Sequence, residues 1–329
     1  MRRLIAAGLF VIATLSGAAT SYSQGFMTHG WMTDFNVSSV EMDEIVSGGP
    51  PRDGIPSIDD PRFVSATSEQ TVQPKEPVIR LEINGDVRAY PLRIMTWHEI
   101  VNDTVGGVPV AVTYCPLCNS AIAFQRQLDG ESVEFGTTGL LRKSDMIMYD
   151  RKTESWWQQF TGEAIVGKKT GDRLTMLPVT VESFELFRTA YPNGKVLVPN
   201  HDGLRRYGEN PYVNYDSRDR PYPLFMGNLP SDVDPMTRVV VIKDTKAGQP
   251  RAVTLPRLRE DGRLRLGDVE LRWIAGQNSA LDTEAIADGK DVGNVTALRH
   301  SGNRQSAVVY DVTFAFAYRA FHPDGELLK

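Results

Sequence analysis

Short apolar runs with strand-like alternation, each closed by a glycine- or asparagine-bearing turn, recur along this chain in a similar order twice. In the first stretch, residues 78–83 and 87–90 flank Asn84-Gly85 and read as a hairpin. Residues 91–102 have the spacing of a short helix, Gly106-Gly107 ends it, and residues 108–114 form an apolar strand. In the second stretch, residues 239–243 and 251–253 precede Gly267-Asp268 and an apolar run at 269–273. Asn119-Ser120-Ala121 follows Tyr114 at the same distance as Asn278-Ser279-Ala280 follows Trp273. Both stretches close alike, on Arg188-Thr189-Ala190-Tyr191-Pro192-Asn193-Gly194 and Arg319-Ala320-Phe321-His322-Pro323-Asp324-Gly325. No regular strand–helix alternation occurs, which argues against a doubly wound sheet. The pattern predicts a β-rich α+β fold of two similar halves, from a degenerate internal duplication, with few short helices.

The N-terminus reads as a targeting segment. Arg2 and Arg3 precede an apolar run at 4–15, and small residues follow from Ser16 to Ser21. That order is a secretory signal peptide, with cleavage expected after Ser23 or Gln24, or after Ala19. The run is too short to span a bilayer as a helix, so no stable membrane insertion is expected after cleavage. The expected organisation is a signal peptide at 1–24, an extended segment at 25–75 and a first half at 76–200. A Tyr-, Pro- and Arg-rich connection at 201–235 then leads to a second half at 236–329. Localisation is expected to be periplasmic or secreted. With 36 Lys and Arg against 41 Asp and Glu, the net charge is −5, and no basic excess exists to neutralise a nucleic acid.

Cys115-Pro116-Leu117-Cys118 is the strongest chemical signal, directly after the run at 110–114. Two intervening residues let both sulfurs face one point, which serves a disulfide ring, a redox dithiol or two metal ligands. The second half carries no cysteine, so the fold of the unit does not require the pair. Three functions stay open. The first is an exported protein binding a soft metal, copper first and zinc second, through Cys115, Cys118 and His98, with Met148 or Met146 as a further donor. The second is a thiol–disulfide oxidoreductase in which Cys115 attacks and Cys118 resolves. The third is a non-enzymatic binding module with a structural disulfide.

Other residues offer weaker chemistry. His98-Glu99 starts like a metalloprotease helix, but Asn102 stands where its second histidine is required. Residues 144–151 alternate as a strand, with Met146 and Met148 on one face and Asp145, Tyr149 and Arg151 on the other. A small-ligand pocket is expected from Glu99, Asp145, Tyr149, Arg151, Arg206, Tyr207 and Tyr212, because arginine and tyrosine clasp anionic or sugar-like molecules. No phosphate loop, nucleophile elbow or dinucleotide fingerprint occurs.

Trp97-His98-Glu99-Ile100-Val101-Asn102-Asp103, and Pro109 through the Tyr114-Cys115-Pro116-Leu117-Cys118 run, resemble domain-of-unknown-function family 3179. So do Thr138-Gly139-Leu140-Leu141, Met148-Tyr149-Asp150-Arg151 and Tyr207-Gly208-Glu209-Asn210-Pro211-Tyr212. The resemblance spans roughly residues 75–325, with Asn119 where glycine is common. It implies the domain extent and the motif positions, and no activity.

Overall fold

The computed structural model describes residues 28–200, 205–243, 248–302 and 304–329. The expected signal peptide, residues 1–24, lies outside the described residues. Five sheets of four or five strands, plus a two-stranded ribbon, make up most of the regular structure among the described residues. They are arranged as a five-bladed β-propeller. This corrects both parts of the expected fold: the chain is mostly β rather than α+β, and its repeating unit is a blade rather than a half.

The physical reasons lie in the elements. Leu92–His98, Phe184–Ala190, Leu255–Asp261 and Ala315–Phe321, the four α-helices that lie wholly among the described residues, are each only seven residues long. Two turns cannot cover a sheet face, so the sheets cover one another. Two blades do share a connectivity. In one, the hairpin Pro77–Ile83/Asp86–Pro91 leads into the first helix. Val179–Ser183 then pairs with Pro77–Ile83, the second helix follows, and Lys195–Val198 lies parallel to Asp86–Pro91. Arg238–Ile242, Arg251–Thr254, Tyr310–Phe314 and Glu326–Leu328 repeat this around the other two helices. The sheets that follow also correspond: Ile100–Val105, Val108–Cys115 and Ser120–Gln125 form an antiparallel meander after the first helix, as Arg263–Leu266, Val269–Ile274 and Asn294–Ser301 do after the third. The blade of Ile45–Ser47, Phe135–Arg142, Asp145–Asp150, Trp156–Gln158 and Glu163–Val166 interrupts the first stretch alone. Asn119-Ser120-Ala121 opens the strand Ser120–Gln125, whereas Asn278-Ser279-Ala280 lies in the loop between Val269–Ile274 and Asn294–Ser301.

Local rules account for the hairpin next to the site. Asn84 and Gly85 both have positive φ, 51° and 80°, as a two-residue turn of the right twist demands. The helix Leu92–His98 ends because Glu99 takes φ 58°. The largest apolar cluster gathers Cys115, Cys118, Met146, Met148, Trp157, Phe160, Phe314 and Phe316 from three blades and the helix Ala315–Phe321. Trp156 and Trp157 are fully buried, each contributing about 3 kcal/mol of apolar burial. No helix among the described residues is long and apolar enough to cross a membrane.

Candidate metal centre

The cysteines close a hairpin. Val108–Cys115 and Ser120–Gln125 pair antiparallel, with Cys115 opposite Ser120. Asn119 turns the chain at φ 52°, and its N–H donates to Pro116 O. A left-handed φ there favours glycine, or an asparagine such as this one. The turn is held from outside. Tyr215 Oη donates to Leu117 O at 2.9 Å, Thr313 Oγ1 to Cys118 O at 2.6 Å, and Asn119 Nδ2 to Val312 O at 2.7 Å.

A second hairpin meets the thiols head-on. Phe135–Arg142 and Asp145–Asp150 are joined by Lys143 and Ser144, both at positive φ. That turn aims Ser144 O at the sulfurs, 3.4 Å from Cys118 Sγ and 3.8 Å from Cys115 Sγ. It also delivers Asp145. Cys115 Sγ, Cys118 Sγ and a carboxylate oxygen of Asp145 lie within 4.8 Å of one another, all buried. The sulfurs are 4.1 Å apart and unbonded.

The Asp145 carboxylate is half satisfied. Its Oδ2 accepts from Gln158 Nε2 at 2.7 Å and from Phe160 N at 2.9 Å. Its Oδ1 is buried with no well-formed hydrogen bond, the Cys115 thiol being the donor that bears on the carboxylate, and Ser144 Oγ and Gln159 Oε1 nearby are buried without partners. Buried polar atoms are nearly always paired, so this concentration marks a place where something else supplies the partner.

Burial governs the charges. It pushes the Cys115 thiol up, with the Asp145 and Glu99 carboxylates adding to the effect, and it lifts Cys118 well above the ordinary thiol value. Burial takes Asp145 up to about 7, against the bonds from Gln158 and Phe160 that favour its ionised form. Glu99 rises to about 8, through burial and then the charge of Asp145. One cation faces this group. Lys243 Nζ donates to Phe160 O at 2.6 Å and lies 4.0 Å from Asp311 Oδ2. Burial lowers its affinity for a proton. Five acids, Cys115, Cys118, Asp145, Glu99 and Asp311, and one lysine leave a site that is near neutral when protonated and strongly anionic when not. A bound cation compensates such a charge, and its binding releases protons.

The other expected residues lie elsewhere. His98 is outside the three-ligand group, and both ring nitrogens are engaged, with Pro56 O at 2.7 Å and Tyr207 Oη at 2.8 Å. Met146 and Met148 are buried in the same apolar cluster as the cysteines. Of the expected pocket, Asp145, Glu99 and Tyr212 surround the cysteine site, and the charge of Glu99 bears on Tyr212. Tyr149 donates to Asp53, Arg151 pairs with Asp59 and Glu134, and exposed Arg206 pairs with Glu209. The pocket therefore divides into separate places. Lys243, Asp311 and the Gln158-Gln159 amides were missed from sequence. The signal available was Lys243 directly after the apolar run at 239–242.

A family model described as a protein of unknown function (DUF3179) matches residues 52–325. No curated protein and no solved structure matches the chain.

Proposed function

The chain belongs to the DUF3179 family, and because that family's description assigns no activity, we propose from the site itself that the protein binds a soft or borderline metal ion through Cys115, Cys118 and Asp145. The observation that carries this is the three-ligand group, whose Asp145 Oδ1 has no well-formed hydrogen bond. Metal–sulfur bonds of about 2.3 Å would subtend about 126° at the present sulfur spacing, and a closure of roughly 0.3 Å gives the tetrahedral angle.

The donor set weighs toward zinc(II) over copper(I), reversing the order expected from sequence. Copper(I) prefers sulfur throughout, whereas zinc accepts two thiolates and a carboxylate together. Glu99 or a water completes the set. The role is metal holding or delivery in an exported protein, the export resting on the charged, apolar and small-residue order of residues 1–24. Thiol–disulfide exchange is disfavoured, since an attacking thiol needs access and a lowered proton affinity. Here Cys115 is 2% and Cys118 0% exposed, and burial raises both.

The test is elemental analysis of the protein purified without chelators, beside Cys115→Ser/Cys118→Ser and Asp145→Asn. The expected result is near-stoichiometric zinc, absent from the double variant and weakened at least about 100-fold by Asp145→Asn. Zinc retained in the double variant, or no uptake by the wild type, would overturn the reading. Copper alone would overturn the preference for zinc.

A further inference from the structure

His98 and Glu99 are neighbours that face different places. Glu99 stands in the cysteine site, whereas His98 lines a separate cleft of about 500 Å³ with Ile58, Asp59, Asn200, Arg205 and Tyr207. That volume suits a molecule of amino-acid or sugar size.

The polar groups of the cleft are unevenly committed. Pro56 O can only accept, so the hydrogen bond from His98 Nδ1 fixes the proton there. Nε2 is then the lone pair that receives the Tyr207 hydroxyl, and the two rings stack at 5.8 Å. Asp59 is already matched, by Arg151 NH1 at 2.7 Å and Asn102 Nδ2 at 2.7 Å. Two groups remain. Arg205 is half-buried and has no hydrogen-bond or ion-pair partner among the described residues. Asn200 donates its Nδ2 to Asp60 O at 2.8 Å, which orients its Oδ1 as a buried acceptor without a partner.

We infer that this cleft binds a small organic carboxylate bearing a hydroxyl group, with Arg205 taking the carboxylate and Asn200 Oδ1 accepting from the hydroxyl. A guanidinium matches a carboxylate bidentately, and a buried acceptor discriminates against a ligand with no donor to offer. Ile58 and Pro56 supply an apolar wall for the carbon skeleton. The burial of His98, and after it the charge of Arg205, disfavour an imidazolium against the opposing bond to Pro56 O, so His98 stays a neutral acceptor holding Tyr207 in place. None of this depends on a metal at the cysteines.

The test uses the full mature protein with glycolate, acetate and inorganic phosphate as probes, read by calorimetry and by the His98 imidazole NMR signal. Glycolate should shift that signal and bind about 5-fold more tightly than acetate, the worth of one hydrogen bond. Arg205→Gln should weaken glycolate by at least about 10-fold, and Asn200→Ala should bring glycolate down to the acetate level. Arg205 is only half-buried, so its variant should keep the wild-type circular dichroism. An unmoved His98 signal, equal binding by Arg205→Gln, or phosphate binding more tightly than glycolate would each overturn the assignment.

Discussion

Glu99 carries two penalties at once. Its φ of 58° is unfavourable for a residue with a Cβ, by about 1–2 kcal/mol. Its carboxyl is buried and rises to about 8. Such a group is protonated in the folded state where the unfolded chain has lost its proton. Its stabilising contribution is complete below the ordinary value of 4.5 and is lost as pH rises through about 8. Chemical denaturation of chelated protein should therefore show stability falling between pH 5 and pH 8, by roughly 3–5 kcal/mol from this residue. Glu99→Gln should flatten that slope and be the more stable protein at pH 8; an unchanged slope would show that the carboxyl titrates normally. The sequence offered His98 as the third ligand and grouped Glu99 with the pocket. The helix does run to His98, but the left-handed φ at Glu99 turns the two side chains apart. Nothing in residue propensity announces that reversal at a glutamate.

At the scale of elements, the site is two hairpin turns facing each other. The cysteine hairpin was legible, because an apolar run, a C-x-x-C turn and a second run at 120–125 follow in order. The strand at Asp145–Asp150 was legible too, but its approach to the thiols was not, since only tertiary packing brings Ser144 O to the sulfurs. That contact uses the backbone oxygen, while Ser144 Oγ is buried and unpartnered. Ser144→Gly removes a left-handed strain and an orphaned hydroxyl, against the added chain entropy of glycine. Thermal unfolding should show a gain of about 0.5–1 kcal/mol, with metal binding intact. Tyr215→Phe works the other way. It strips the buried Leu117 carbonyl of its donor and should cost about 1–3 kcal/mol. A neutral Tyr215→Phe in denaturant titration would mean the cysteine turn is held by its own strands.

At the scale of the molecule, the connection between the two similar stretches is part of the site's enclosure. Tyr212, Tyr215, Tyr222, Leu224, Phe225 and Leu229 pack against the cluster that holds the cysteines. The 3-10 turn Tyr215–Ser217 is tied to the chain beyond by Asp216, whose side chain is 1% exposed and pairs with Arg238 at 3.0 Å and Lys290 at 3.0 Å. Asp216→Asn strips the largely buried Arg238 of its carboxylate, while Lys290 keeps Asp282 at 3.8 Å, and should cost about 3 kcal/mol at neutral pH in urea unfolding. Those cations hold its carboxyl below the usual range, against the effect of burial. Its contribution is thus present at neutral pH and lost on acidification, and the variant should lose less stability in acid than the wild type. The internal similarity in the sequence was real in its hairpins and closing helices. Asn119-Ser120-Ala121 and Asn278-Ser279-Ala280 both stand where the second strand of a meander passes to the third, with a longer connection in the second case. Blades repeat by connectivity more than by residue identity, which is why a count of halves failed where a count of sheets succeeds.

The most direct test of the metal centre is cobalt(II) titration of the chelated protein, followed in the near ultraviolet and visible. Two thiolates on one tetrahedral cobalt give sulfur-to-metal charge transfer together with visible ligand-field bands. The expected result is saturation at one equivalent, displacement by one equivalent of zinc, and loss of the charge-transfer band in Cys115→Ser and in Cys118→Ser. Asp145→Asn should keep the sulfur band and weaken the affinity. A spectrum without charge transfer, or one that survives loss of both cysteines, would contradict the assignment of Cys115, Cys118 and Asp145 as a metal site.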